Sequence, residues 1–542
     1  MIVKTEPYKH QYDAYAYLYD KEYGALFMEQ GTGKSKVAID IAYNRFLENK
    51  INAVMLIAPN GVHTQWAEEQ IPIHSNNYNI KVWGKKKNKL YKRVLEEFVN
   101  EPERLKRLKW FCINVEAFST LNNINIFLEY LFNNNVMIII DECTRIKNIK
   151  ANRTFNICYN LAKRKLGGRN GNKVLKIIPL SAYRLILTGT MITNSPYDLW
   201  SMFEFLKFRY FGCDYFSFKN RYGISIIDSN VQYERDFTRS IRKDEIQSVL
   251  TYYKEKNYTI ENIAALMRIQ ESNVKYIIEH PDVNIPYKHL DELKRRIKPV
   301  SFIIRKKDCL DLPPKVYEQS YVEMNTEQKR IYKDLKNRYL AEYADKELSV
   351  VNKISLYIRF QQITGGFFPY YEDKYKKYKT IPISNNPKLK RLKEDIEETD
   401  EILIIWARFT AEIILLWKEL QKAFPDKYIA TYYGKTSDNE RNRIINEFKQ
   451  NKINIIILNQ SVGAFGLNLQ NSSFQYFYSN TYSLEHRDQS EDRSHRIGTK
   501  KSVLYKDIIM RNSIDEKIYK LLKERKNLLD YFRDTSIEEF LG

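Results

Sequence analysis

Lys34 and Ser35 close the run Met28-Glu-Gln-Gly-Thr-Gly-Lys-Ser35, whose composition suits it to holding phosphate. Gly31 and Gly33, with Thr32 between them, permit the tight turn that aims backbone N–H groups at phosphate oxygens. Lys34 would reach the β- and γ-phosphates of a nucleotide, and the Ser35 hydroxyl is a ligand for Mg2+. Met28 stands where the strict form of this pattern has glycine. Further on, Val136-Met-Ile-Ile-Ile-Asp-Glu142 delivers two adjacent carboxylates from the end of an apolar run. Asp141 can hold the same Mg2+ through water, and Glu142 can orient and deprotonate an attacking water. A phosphate loop followed by such an acid pair points to hydrolysis of a nucleoside triphosphate, with ATP and Mg2+ as cofactors.

Such a loop needs a strand before it and a helix after it, and the sequence supplies both. Gly24 to Phe27 is apolar, and Lys36 to Phe46 has helical periodicity, so the helix N-terminus favours the anion. Ala53–Ala58, Phe111–Asn114, Val136–Ile140 and Arg184–Leu187 continue a first set of short aliphatic runs. Ile402–Trp406, Ile429–Tyr432, Ile453–Leu458, Phe474–Tyr478 and Val503–Ile509 form a second set. Continuous apolar runs alternating with amphipathic stretches predict buried parallel strands with crossover helices. The expected fold class is α/β, with one domain over 1–225, a second over 375–542 and a mostly helical stretch, 226–374, between them. Within that stretch, 242–285 reads as helix, short turn, helix, with Ile263, Ala264 and Leu266 packing on Val274 and Ile277; it resembles a helix-turn-helix whose second helix could enter a major groove, the alternative being a plain helical hairpin used for packing.

A chain of 542 residues is long enough for several domains, and its formal net charge of +21 favours a polyanionic partner. Basic segments fall at Lys85–Arg93, Arg104–Lys109, Lys163–Lys176 and Lys294–Lys307. They predict a surface that tracks phosphates without reading sequence. The five cysteines are scattered, with no C-x-x-C pair, which excludes a recognisable cysteine zinc site and a disulfide framework. No apolar run approaches a membrane span, and Met1 to Gln11 has no signal-like core, so a cytoplasmic protein without membrane contact is expected.

Taken in order, these motifs and several others resemble superfamily 2 helicases, and within them the SWI/SNF-type ATPase branch. The resemblance runs over roughly residues 7–530. Pro7-Tyr-Lys-His-Gln11 is similar to the segment whose glutamine reads adenine, which assigns that role to Gln11. Asp141-Glu-Cys-Thr-Arg-Ile-Lys-Asn148 resembles the family's Asp-Glu-Ala-His motif, with Cys143 and Thr144 replacing Ala-His. Arg184-Leu-Ile-Leu-Thr-Gly-Thr190 resembles motif III, which implies that Thr188, Gly189 and Thr190 couple nucleotide to nucleic acid. Asp311-Leu-Pro-Pro-Lys315, after Ser301-Phe-Ile-Ile-Arg-Lys-Lys307, resembles the branch's linker region. Gln489-Ser-Glu-Asp-Arg-Ser-His-Arg-Ile-Gly498 resembles motif VI, so Arg493 and Arg496 become the arginine fingers.

The family likeness further implies two RecA-like domains around the helical insertion. It places nucleic-acid contacts at Pro59 and Trp66 of motif Ia, at Asn114, and at Gly463 and Asn468 of motif V. The implied activity is ATP-driven translocation on double-stranded DNA that remodels protein–DNA complexes or DNA structures. Strand separation on DNA or RNA is the alternative, and single-stranded DNA or RNA the alternative partner. Nothing in the sequence identifies a protein partner.

Overall fold

Every apolar run singled out above forms the body of a parallel strand. The computed structural model describes residues 1–84, 88–100, 106–120, 124–161, 164–166, 176–178, 182–189, 195–227, 238–241, 243–280, 287–343, 350–372, 377–463 and 467–524. Two units are distinguished by their internal packing: residues 1–29 with 34–304, and residues 305–542 with the short loop 30–33. The division at 304/305 falls inside the stretch 226–374.

The first unit holds a seven-stranded sheet. Its strands are β1 (Tyr23–Met28), β2 (Ala53–Ala58), β3 (Tyr78–Val82), β4 (Leu108–Asn114), β5 (Val136–Ile140), β6 (Tyr183–Thr188) and β7 (Ser301–Ile304). They lie in the order β7-β1-β6-β5-β2-β4-β3, parallel throughout. Every residue of β2 and β5 is buried, as covering both faces with helices requires of central strands. Fully burying one of the isoleucines 138–140 contributes about 1.5–3 kcal/mol. That is why β5 is written in aliphatic residues up to the acid pair that ends it.

The second unit holds a six-stranded sheet. Its strands are β8 (Lys315–Val322), β9 (Leu403–Ala407), β10 (Ile429–Tyr432), β11 (Ile455–Asn459), β12 (Phe474–Phe477) and β13 (Val503–Met510). The order is β8-β13-β12-β9-β11-β10, again all parallel. Alternate residues of the same strands feed two cores. Leu403, Ile405, Ile455 and Ile457 pack on one face, and Ile404, Trp406, Ile456 and Leu458 on the other. The α/β reading with two parallel-sheet domains therefore holds.

The insertion is a three-helix cluster: Lys243–Lys254, Ile260–Met267 and Glu271–Glu279. Ile246, Val249, Ile263, Ala264, Ile269, Val274 and Ile277 make its core together with Ile224 and Ile241. The Thr259 hydroxyl accepts from the backbone N–H of Asn262 and starts the middle helix, while Arg268 ends it in the left-handed region (φ 53°). Leu266, expected in this core, is 55% exposed: two residues on from the core residue Ala264, it lies nearly opposite it around the helix. Between 243 and 280 there are five basic and six acidic residues, so the cluster does not share the chain's positive excess. No helix among the described residues is long and apolar enough to cross a membrane.

One buried acid makes the second unit sensitive to pH. Glu412, on the helix Thr410–Ala423, is fully buried; its carboxylate accepts from the Arg408 N–H and the Ser479 hydroxyl. Burial pushes it up to about 7, against the pull of the Ser479 bond and the Lys388 charge. The folded form therefore holds its proton more tightly than the unfolded chain does. Its stabilisation is present below the unfolded value near 4.5 and is lost as pH rises to about 7. Relative to Glu412→Gln, the wild type should lose about 3 kcal/mol of stability between pH 4.5 and 7. Denaturant unfolding of both proteins across that range checks it; parallel pH curves would refute it.

Candidate active site

Lys34, Thr188, Asp141 and Glu142 lie at the carboxyl ends of three neighbouring strands, β1, β6 and β5. Gly31 and Gly33 have φ of +81° and +88°, values that side chains rarely tolerate, so the loop after β1 needs glycine at both places. Lys34 opens the helix Lys34–Leu47 and is 7% exposed; its Nζ donates to the Met28 carbonyl at 2.9 Å. The amine is thus held over its own loop. Thr32 is buried and Ser35 half-buried beside it.

Asp141 follows β5 directly, and its N–H is bonded to the Ile57 carbonyl of β2 at 2.8 Å. Its two carboxylate oxygens have separate donors: the Trp66 indole N–H at 2.8 Å and the Glu142 N–H at 2.9 Å. Burial, then the neighbouring Glu142 charge, pushes Asp141 up to about 6, against Lys34 and the Trp66 bond. Glu142 has φ +49°, a left-handed conformation that is costly for a non-glycine residue. Its side chain meets β6, where the Thr188 hydroxyl donates to Glu142 Oε2 at 3.5 Å. Gly189 follows half-buried, and Thr190 lies outside the described residues. Cys143, in place of alanine, is a core residue against Met202.

The donor set suits a hard cation. Ser35 offers a hydroxyl and Asp141 a carboxylate, both oxygen ligands of the kind Mg2+ takes. Two adjacent buried acids with one nearby lysine leave room for added positive charge.

Gln11, the candidate adenine reader, is buried on the helix Lys9–Leu18, and its side-chain oxygen accepts the Tyr8 N–H at 3.0 Å. The nucleic-acid candidates fare unevenly. Pro59 is buried, and Trp66 is 1% exposed with its indole N–H given to Asp141. The Trp66 indole is thus tied to the acid pair. Asn114 is half-buried and bonded to Glu116. Gly463 is also buried: a Cβ there would lie 2.9 Å from Leu458 and 3.0 Å from Trp406, so close packing accounts for this glycine. Asn468 is half-buried, its side-chain oxygen accepting from the Gln470 N–H at 3.4 Å.

In the second unit the helix Leu484–Glu491 runs into the turn that carries both candidate fingers. Arg493 is 6% exposed; it donates to the Gln489 carbonyl at 3.0 Å and the Leu467 carbonyl at 3.3 Å. Arg496 is half-buried and reaches the same Leu467 carbonyl at 3.4 Å. The two guanidinium groups thus converge on one main-chain oxygen. Sequence reasoning missed Arg487. It grips Asp507 with two nitrogens at 2.6 and 2.8 Å, pairs with Glu491 at 2.8 Å and stacks over Phe477 at 3.5 Å. The i,i+4 pairing of Arg487 with Glu491 was the available signal.

Comparison with known proteins finds several that are similar to this chain. A family model described as SNF2-related domain matches residues 10–363, and one described as helicase conserved C-terminal domain matches residues 387–498. A protein of Mycoplasma pneumoniae described as an uncharacterized ATP-dependent helicase is 22% identical, over 96% of this chain and 42% of its own length. The ATP-dependent helicase FUN30 of Saccharomyces cerevisiae is 23% identical, over 71% of this chain and 36% of its own. The chain therefore spans less than half the length of either relative. Among solved structures, the Sulfolobus solfataricus SWI2/SNF2 ATPase core in complex with dsDNA is 20% identical, with a TM-score of 0.37, covering 99% of this chain and 94% of that one.

Proposed function

The chain belongs to the SNF2-related domain family, and from that premise we propose that it hydrolyses ATP to move along double-stranded DNA, remodelling protein–DNA complexes or DNA structures. The observation that carries this reading is the convergence of Lys34, Thr188, Asp141 and Glu142 at the ends of three neighbouring strands. In that arrangement Lys34 exchanges the Met28 carbonyl for phosphate oxygens. Glu142, steadied by Thr188, orients the attacking water and takes its proton. Ser35 and Asp141 would hold Mg2+, which neutralises charge on the transferring phosphoryl group. Trp66 keeps the Asp141 carboxylate in place by occupying one of its oxygens. Arg493 and Arg496 add positive charge that counts most in the transition state. Gln11 is assigned to the adenine base. Thr188, Gly189 and Thr190 are assigned to coupling, since Thr188 already touches the catalytic acid.

A polyanionic track is supported by the net charge of +21. The test is the ATPase rate without polynucleotide and then with duplex DNA, single-stranded DNA or RNA, alongside Lys34→Ala. Stimulation by duplex DNA, abolished in Lys34→Ala, is the expected result. Stimulation by single strands or RNA alone would replace translocation on duplexes with strand separation.

A further inference from the structure

The arginine turn 492–496 is fastened to the segment that leads into the second unit. Lys306, on the short helix Lys306–Cys309, is 6% exposed, and its Nζ donates to Asp492 Oδ1 at 2.7 Å and to the His495 carbonyl at 2.9 Å. Lys315, the first residue of β8, donates to Glu491 and to the same Asp492 oxygen, both at 3.0 Å. The His495 ring closes the arrangement by donating from Nε2 to the Pro313 carbonyl at 2.7 Å. These ties bracket Arg493 and act on the residue next to Arg496, although none of the tying groups is itself a finger.

The geometry points to Lys306 as a positioning residue: its ammonium sets the turn that carries Arg496. This rests on the assignment of Arg496 as a finger. A buried ammonium has three N–H donors to satisfy, and where its partners lie decides what it holds in place. Lys306 divides its donors between a side chain and a main-chain carbonyl of the same turn, which fixes both where the turn lies and how it is oriented. Asp492 keeps Lys315 when Lys306 is removed, so Lys306→Met leaves no buried acid without a cation.

The experiment is steady-state ATPase at saturating duplex DNA, with thermal melting of each variant. Lys306→Met should lower kcat about 10²-fold, the cost of a small misplacement of a charge-stabilising group. It should leave KM for ATP within about threefold of wild type. Lys306→Arg should recover most of the rate. Lys306→Met combined with Arg496→Ala should be no slower than Arg496→Ala alone, since both act through one group. Wild-type kcat in a folded Lys306→Met overturns the proposal, as does a further loss in the double variant. If Lys306→Met does not fold, Asp492→Asn decides: the same kcat loss supports the proposal and wild-type kcat overturns it. Normal turnover in Arg496→Ala alone would instead sink the finger assignment, so the two failures are separable.

Discussion

Arg496→Ala is expected to bind ATP as the wild type does and to turn it over about 10³- to 10⁵-fold more slowly, the range by which arginine fingers act in other nucleotide hydrolases. The reason lies in how differently its two arginines are held. Arg493 is buried and gives its guanidinium to the Gln489 and Leu467 carbonyls. Removing it would leave a main-chain oxygen without its donor, so a loss of activity in Arg493→Ala would mix folding with chemistry. Arg496 is half-buried, and its bond to the Leu467 carbonyl, at 3.4 Å, is longer than the 3.0 Å bond of Arg493 to Gln489. Lys34→Ala provides the contrast. Lys34 meets the phosphates before and during reaction, so its loss should raise KM as well as lower kcat, whereas Arg496→Ala should lower kcat alone. Binding of a fluorescent ATP analogue together with single-turnover hydrolysis separates the two. An Arg496→Ala protein that hydrolyses ATP normally would remove Arg496 from the mechanism.

The part of this machinery legible in the sequence is the part where one residue type has one physical use. Gly31 and Gly33 are readable because only glycine adopts their positive φ comfortably, and β5 because a strand covered on both faces must be aliphatic throughout. Within the two large sheets the strands not anticipated, β3, β7 and β8, are all at the edges, where exposure lets polar residues into the pattern. Tyr-Asn-Ile-Lys-Val and Lys-Val-Tyr-Glu-Gln-Ser-Tyr-Val look like connecting segments, because only one neighbour strand and part of one face constrain them. The surroundings of Trp66 and Gly463 were illegible for a different reason. A motif records that a residue type is needed but not which neighbours surround it; in the structure these include Asp141 and the Trp406–Leu458 packing. Lys306 and Lys109 repeat the lesson for charge. Each sits in a basic segment, yet Lys306 is committed to Asp492, and Lys109 lies buried over the rings of Phe98 and Tyr130.

The burial of these lysines bounds what DNA binding should look like. Side chains such as those of Lys109 and Lys306 cannot release counterions, so the proposed phosphate-tracking surface would be smaller than the net charge of +21 suggests. The helix Leu290–Ile297 and its exit keep Lys294, Arg295 and Lys298 exposed. The ion pair there, Lys294 with the exposed Asp291 at 3.3 Å, is too solvated to withdraw the charge. Duplex affinity should therefore fall steeply with salt, by about 10³–10⁵ between 50 and 200 mM if roughly six to ten phosphates are neutralised. Replacing Lys294, Arg295 and Lys298 together by alanine should flatten the slope of log affinity against log salt by about 0.9 for each phosphate no longer neutralised. It should do so equally on unrelated DNA sequences, because binding to phosphate carries no base information. The near-neutral cluster at 243–280 contributes little to that slope, so alanine at Lys275 and Arg268 should leave it unchanged. Fluorescence anisotropy across a salt series gives both numbers. A salt-independent affinity would show that the track is gripped by something other than its phosphates, and a slope that followed Lys275 and Arg268 would move the binding surface onto the three-helix insertion.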